Sequence, residues 1–152
     1  KWIVNMALGF PTSFYTEFLD QAIGLARLQG VMFVVAAGNV IPGNSDACNI
    51  SPAKVRSAIT VAASTVDDYR ATFSNFGTCV DIFAPGQEIL SLSLKQHRKE
   101  ITQPTLNSGT SMAAPHVTGV AALLYQGLGS ADEVERALLS AATPNKINDV
   151  QG

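Results

Sequence analysis

Two short polar segments carry side chains whose types and positions suit attack on a carbonyl group. Ser111 lies in NSGTSMA, residues 107–113, immediately before apolar residues with helical spacing. Asn39 follows the apolar run VMFVVAA, residues 31–37, and Gly38. A serine at a helix N-terminus lies beside unpaired backbone N–H groups and the positive end of the helix dipole, which stabilise an oxyanion. The amide of an asparagine can donate a second hydrogen bond to that oxyanion.

Each of these residues also has an ordinary structural explanation. A Ser or Thr before an apolar helix is most often an N-cap, and an Asn after a strand is most often a turn residue. Residues 109–113 nearly match the Gly-x-Ser-x-Gly elbow of α/β hydrolases, which needs an acid and then a histidine downstream. The one downstream histidine, His116, is five residues along the same helix and is expected to point away from Ser111. That interpretation therefore fails.

The apolar pattern predicts an α/β fold with strand–helix–strand units and a parallel sheet. Unbroken apolar runs predict strands buried on both faces. The predicted strands are residues 1–9, 31–37, 58–63 and 80–84, with a shorter strand at 89–94. Because such sheets bind ligands at the carboxyl ends of their strands, Asn39 and Ser111 are expected at that edge.

Helix signals predict three helices. The first has Ser13 as its N-cap and ends at Gly30, and a long one follows the serine over residues 112–127. A capping box of Ser130 and Glu133 opens the last. The polar residues 96–105 are predicted to form an exposed loop or a hairpin tip.

Composition excludes several classes of protein. The chain has 152 residues, the size of one domain, with a formal charge of −2, 14% charged and 47% hydrophobic residues. This balance excludes a basic nucleic-acid binder and an acidic disordered tail, and no apolar run reaches the roughly 18 residues of a membrane span. No glycine-rich phosphate-binding motif follows a strand, and no cluster of His and Cys suits zinc.

Six blocks of sequence resemble the subtilisin-like serine proteases (subtilases). Residues 109–119, GTSMAAPHVTG, resemble the serine signature of that family, which is long and specific. The other five blocks follow the family order: VNMALG (4–9), VVAAGN (34–39), ISPA (50–53), FSNFG (73–77) and DIFAPG (81–86). The sequences of these blocks most resemble those of the proteinase K-like branch of the family. The resemblance implies a partial subtilisin-like fold.

The resemblance implies a role for each matching residue. Ser111 would be the acylating nucleophile, and the side-chain amide of Asn39 would bind the oxyanion together with the Ser111 N–H. His116 matches a structural position. The resemblance also implies two sets of substrate-binding residues. The backbone of Ala7, Leu8 and Gly9 would pair with an extended peptide as with an added strand. Ala36, Ala37 and Gly38 would line a roomy apolar pocket.

The resemblance also implies a calcium site and a disulfide. The calcium ligands would be the backbone carbonyls of Arg56 and Ala58 and the carboxylate of Asp81; the alternative is that Asp81 only caps a turn. Cys48 and Cys79 lie in blocks that meet in the folded family, so we expect them to form a disulfide, the alternative being two buried thiols. A disulfide favours a secreted protein or one in the lumen of the secretory pathway.

The chain lacks the aspartate and histidine motifs that precede these blocks in subtilases. His97 lies in a polar insertion, residues 94–103, with no motif around it. We therefore expect residues 1–152 to be the carboxyl-terminal part of one subtilase catalytic domain, inactive alone. A missing amino-terminal segment or a separate chain would supply the aspartate and histidine; the expected partners are that chain or a pro-segment, and a peptide or protein substrate.

Two hypotheses of different class remain at this point. The chain is either the serine-bearing part of an endopeptidase, or a non-catalytic pseudoprotease or protein-binding fragment that uses the same cleft. The unbroken motif around Ser111 and the presence of Asn39 favour the enzyme.

Overall fold

The fold is α/β, as predicted. The computed structural model describes residues 1–13, 16–40, 45–94 and 101–150; for residues 93–94 and 101–103 it describes the backbone alone. The strands are β1 (Trp2–Met6), β2 (Phe10–Pro11), β3 (Val31–Ala36), β4 (Ile50–Ser51), β5 (Ile59–Ser64), β6 (Ile82–Pro85), β7 (Ile89–Leu94) and β8 (Ile101–Asn107). The helices are α1 (Thr16–Leu28), α2 (Thr110–Leu124) and α3 (Ala131–Ala141), and a short 3₁₀ turn covers Ala47–Asn49.

A four-stranded parallel sheet organises the chain, in the order β1-β3-β5-β6. Val4 lies opposite Phe33, and Val34 lies opposite Ile59. Five of the six residues of β3 are buried, as its unbroken apolar run predicts for a strand covered on both faces. The carboxyl ends of β1 and β3 lie side by side, so the segments that follow them meet at one edge of the sheet.

The prediction that residues 1–9 form a strand buried on both faces is wrong in extent and in burial. The strand is shorter, Trp2–Met6, and Trp2 is 75% exposed. The reason is position: within the part of the chain that the structure describes, β1 is the last strand of the sheet and pairs with β3 alone. Its other edge presents backbone groups that are open to a further strand.

The two faces of the sheet are covered by different helices. Side chains alternate along β3, so Val34 points to one face and Val35 to the other. The cluster under α2 contains Met32, Val34, Ala36, Ile59, Val61, Ala63, Ala113, Ala114, Val117 and Ala121. The cluster under α1 contains Ile23, Phe33, Val35 and Ala58. The small alanines of α2 let its first turns pack close to the sheet.

The helix ends follow the sequence signals with one exception. α1 ends where Gly30 adopts φ 84°, but it begins at Thr16, so the predicted N-cap, Ser13, lies too early and instead accepts the Thr16 N–H at its backbone carbonyl. α3 has the predicted capping box, in which the backbone N–H groups at its start lower the pKa of the Glu133 carboxyl. Among the described residues, no helix is both long and apolar enough to cross a bilayer.

The polar region before Ser111 is a hairpin, not only a loop. β7 and β8 pair antiparallel, with Ser91 opposite Thr105. Of the two predicted alternatives for residues 96–105, an exposed loop or a hairpin tip, the hairpin is found, although residues 101–105 belong to its second strand rather than to its tip. Residues 95–100 lie outside the described residues. The sequence of β7, ILSLSL, alternates and its strand is predicted, but that of β8, ITQPTLN, does not alternate and contains Pro104, so its pattern does not indicate a strand.

The predicted disulfide is present in the structure. Cys48 and Cys79 are bonded, with their Cα atoms 5.2 Å apart and a sequence separation of 31 residues. Closing a loop of that length stabilises the folded chain by about 3–4 kcal/mol in the chain-entropy account. The bond ties the 3₁₀ turn before β4 to the loop that leads into β6.

Candidate active site

Ser111 is the second residue of α2 and lies at the carboxyl edge of the sheet. Its hydroxyl donates a hydrogen bond to the backbone carbonyl of Ala7, just beyond β1, over 3.0 Å. The Ser111 N–H is among the first four of its helix, so no carbonyl within the helix accepts it. The residue therefore presents a hydroxyl and an uncommitted backbone donor from one position.

Gly86 fixes the place where α2 begins. Its carbonyl accepts the Gly109 N–H over 2.8 Å. A Cβ atom on Gly86 would lie 2.5 Å from the Ala63 Cβ and 2.9 Å from the Gly109 carbonyl oxygen. Only glycine allows this approach, because any side chain would push the start of α2, and Ser111 with it, away from the sheet.

Asn39 is held by the residue before the serine. Its side-chain oxygen accepts two hydrogen bonds from Thr110, from the backbone N–H over 3.0 Å and from the hydroxyl over 3.2 Å. Thr110 is buried and Asn39 is exposed, so a buried residue anchors a side chain that remains open to solvent. Because Oδ1 is engaged by Thr110, the amide nitrogen of Asn39 points the other way and can donate to a ligand.

A small cavity opens beside these residues. It has a volume of about 220 Å³ and is lined by Leu8, Gly9, Pro11, Ala36, Gly38, Asn39, Ile50, Thr110 and Ser111. Ile50 forms the wall between Gly9 and Gly38, since a Cβ on Gly9 would lie 2.9 Å from Ile50 Cγ2 and one on Gly38 would lie 3.4 Å away. Four of the implied substrate-binding residues thus surround one space. Ala37 is fully buried in a neighbouring cluster, and Ala7 contributes its carbonyl.

A second cavity, of about 430 Å³, lies on the other side of Ser111. Its lining residues come from the β7–β8 hairpin and the first turns of α2: Ile89, Leu90, Ser91, Leu92, Asn107, Ser111, Met112, Pro115 and His116. The His116 ring nitrogen Nδ1 is bonded to the Met112 carbonyl over 2.8 Å. His116 therefore shares a cavity with Ser111 while its ring is tied to its own helix.

Comparison with known proteins gives a single family. The sequence pattern described as "Subtilase family" matches residues 2–152. The chain belongs to the subtilase family. This subtilase chain is 49% identical, over 97% of its length and 34% of the relative's, to "Extracellular serine proteinase" of Thermus sp. (strain Rt41A). It is 45% identical to "Alkaline protease 1" of Emericella nidulans, over 100% of its own length and 36% of that protein's.

A solved structure gives the same result for the fold. The crystal structure of a cold adapted subtilisin-like serine proteinase superposes with a TM-score of 0.85 at 43% identity. The match covers 99% of this subtilase chain and 51% of that chain. The family and the partial subtilisin-like fold expected from the sequence are confirmed. The subtilase chain spans a quarter to a third of the length of the curated relatives it matches and half of this solved one.

Sequence reasoning missed two residues of this site. Thr110 and Ile50 appear in the sequence only within family blocks, yet Thr110 holds Asn39 and Ile50 lines the small cavity. Both are buried. The signal available for Thr110 is a polar residue at the start of an apolar helix. The role of Ile50 depends on two distant glycines and has no local signal.

Proposed function

We propose that this chain is the serine-bearing part of a subtilisin-like serine endopeptidase that hydrolyses peptide bonds through an acyl-enzyme on Ser111. The observation that carries the proposal is the meeting of three donors at one sheet edge. These are the Ser111 hydroxyl, the Ser111 N–H at the start of α2, and the Asn39 amide, which Thr110 orients. Nucleophilic attack on a carbonyl needs this set.

The reaction follows from these positions. A general base takes the Ser111 proton, which now lies toward the Ala7 carbonyl, and the freed oxygen attacks the substrate carbonyl carbon. The negative charge that forms on the carbonyl oxygen receives hydrogen bonds from the Ser111 N–H and the Asn39 amide. Collapse expels the amine, which takes the proton from the base. Water then attacks the acyl-enzyme carbonyl and gives a proton to the base; collapse breaks the bond to Ser111, whose oxygen takes that proton back as the acid product leaves.

The base has to come from outside the described residues. His116 is the one histidine among them, and its ring is bonded to the Met112 carbonyl. The cavity of about 430 Å³ leaves space beside Ser111. Leu90 and Leu92 border it and are 66% and 69% exposed. An apolar, uncovered surface next to the nucleophile suits a segment or second chain that carries the histidine and aspartate.

The function is tested by comparing two preparations in a peptide-cleavage assay. We expect this chain alone to give no turnover, and the assembled protein that contains the aspartate and histidine to cleave. Cleavage by the isolated chain would contradict the proposed division of the triad. Peptide binding without turnover by the assembled protein would instead show a non-catalytic binding module.

The substrate is proposed to be a peptide or protein that lies extended along residues 7–9. The side chain before the scissile bond would enter the small cavity of about 220 Å³. Ile50 limits that space between Gly9 and Gly38, so the pocket is narrower than the roomy one that the resemblance implies, and small and medium apolar side chains fit it best. Ile50 would therefore set the preference of the enzyme at that position.

Replacing Ile50 with Ala is expected to shift the preference toward aromatic side chains. The added space should raise kcat/KM for a Phe substrate relative to an Ala substrate by about tenfold or more, the scale on which apolar pockets discriminate. The assay compares paired peptides that differ only at that residue. Ile59→Ala, in the core of β5, is the control: it should lose stability without a change in the ratio. An unchanged ratio in Ile50→Ala would show that Ile50 does not limit the pocket.

The proposed location of the protein is outside the cell or in the lumen of the secretory pathway. The Cys48–Cys79 disulfide is typical of an oxidising compartment. One relative is named as extracellular. Assignment to the proteinase K-like branch, and the absence of nucleic-acid and membrane partners, stay predictions.

Calcium is proposed as a structural ion at Asp81. The donors would be one Asp81 carboxylate oxygen and the carbonyls of Arg56 and Ala58, a hard oxygen set that suits this ion. Burial raises the pKa of the Asp81 carboxyl, although the Thr60 N–H bonds to it over 2.7 Å and lowers that pKa. The Thr60 hydrogen bond thus offsets only part of the cost of burying the negative charge of Asp81. Within the described ranges, no three His, Cys, Asp or Glu residues cluster as a metal site, so the carbonyls would be essential.

Calcium is therefore expected to raise the melting temperature, and a chelator to lower it. An ion at 100 times its Kd adds about 2.7 kcal/mol to the stability of the folded state. Asp81→Asn keeps an acceptor for the Thr60 N–H but removes the charge, so its melting temperature should not respond. Asp67→Asn, on an exposed turn, is the control and should respond fully. Equal responses in all three proteins would rule out a site at Asp81.

A further inference from the structure

The segment 73–75 holds the backbone that carries Asn39. The Asn75 N–H donates to the Gly38 carbonyl over 3.0 Å, and the Val40 N–H donates to the Phe73 carbonyl over 2.7 Å. Ser74 forms an isolated antiparallel bridge with Asn39 itself. The chain beyond the end of β3 is thus pinned on both sides of Asn39.

The Asn75 side chain adds a bond that no backbone group supplies. Asn75 is fully buried, and its amide nitrogen donates to the Ala37 carbonyl over 3.0 Å. Gly38 lies directly against it, because a Cβ on Gly38 would be 2.7 Å from the Asn75 amide nitrogen. Gly38 also has φ 90°, which favours glycine. Asn75 therefore donates hydrogen bonds to both carbonyls at the turn, to that of Ala37 from its side chain and to that of Gly38 from its backbone.

The amide of Asn75 is not explained by stability alone. Its side-chain oxygen is buried and has no hydrogen-bond partner among the described residues. A buried acceptor without a partner costs stability, and an apolar residue of similar shape would avoid that cost. What the site gains from the amide is the bond to Ala37, two residues before Asn39.

We propose that Asn75 is a positioning residue for the oxyanion amide of Asn39, an inference that rests on the proposed endopeptidase function. Thr110 fixes the Asn39 side chain, and Asn75 fixes the backbone turn from which that side chain extends. Hydrogen bonds to an oxyanion are worth most when their donors are held in place before the reaction. Loosening the turn would move the Asn39 amide away from the position of the oxyanion.

The test is a double-mutant cycle in the assembled protease. Asn75→Ala alone is expected to lower kcat by up to about 10²-fold, the cost of a small misplacement, with little change in KM. In an Asn39→Ala background the same change should cause little further loss, because the donor it positions is already absent. Thr60→Val is the matched control, as it removes an equally buried hydrogen bond, to the Ala53 carbonyl, that involves neither Ala37 nor Gly38. It should lower the melting temperature and leave kcat unchanged.

The outcomes distinguish failure of the positioning role of Asn75 from failure of the proposed endopeptidase function. An equal fold-loss of kcat from Asn75→Ala in both backgrounds would overturn the positioning role, as would a lower melting temperature with unchanged kcat. If Asn75→Ala does not fold, Asn75→Ser, which retains the backbone bond to Gly38 and leaves a smaller cavity, enters the same cycle. Failure of the proposed function is distinguishable, since then the assembled protein would not cleave or Asn39→Ala would have no effect.

Discussion

Ser111→Ala is expected to reduce kcat of the assembled protease by about 10⁶-fold, a magnitude established on the triad serine of subtilisin. The physical reason is that the variant has no oxygen to form the acyl-enzyme. The N–H at residue 111 and the Asn39 amide would remain, so a small residual rate above that of water is expected. The measurement is single-turnover and steady-state hydrolysis of a peptide ester and a peptide amide.

Ser108→Ala is the matched control, since Ser108 is a nearby serine on the same segment. Its hydroxyl accepts the Glu88 N–H over 2.9 Å and has no part in the proposed reaction. We expect Ser108→Ala to retain activity and both variants to fold. Cleavage by Ser111→Ala at the unmodified rate would remove Ser111 from the mechanism.

Asn39→Ala is expected to lower kcat by about 10²–10³-fold, the loss known for one oxyanion donor in subtilisin, with KM nearly unchanged. The effect is confined to kcat because the amide bonds to a charge that exists only in the transition state. Parallel measurement of kcat and KM on one peptide series, with melting temperatures, checks it.

Asn148→Ala provides the comparison for this variant. Asn148 also uses its side chain in a hydrogen bond, to the Asp68 carbonyl, in the segment that pairs with Tyr69. Its loss should affect stability only. A rise in KM without a fall in kcat for Asn39→Ala would show that Asn39 binds the substrate rather than the oxyanion.

The sequence predicted those elements whose signals are local. The buried run at β3, the glycine after α1 and the capping box of α3 each depend on neighbouring residues, and each is found where expected. The burial of β1 is predicted wrongly, and β8 is anticipated only as a loop or hairpin tip, for a shared reason. Each depends on what lies beside it, β1 as an edge strand and β8 as the partner of β7, and no local pattern contains that information.

The candidate site divides in the same way. Ser111 and Asn39 were found because a helix start and a strand end are visible in the sequence. Thr110, Ile50 and Asn75 were not, because each acts through a partner far along the chain, at a separation such as the 71 residues between Thr110 and Asn39. Long-range contacts of buried side chains require the fold.

Labelling with a fluorophosphonate tests the central claim most directly, because the probe reacts with a serine that a base has activated. The assembled protein and this isolated chain would each be treated, digested and analysed by mass spectrometry. We predict an adduct on Ser111 in the assembled protein only, and none on Ser108 in either. Absence of an adduct on Ser111 in the assembled protein would contradict the assignment of Ser111 as the nucleophile.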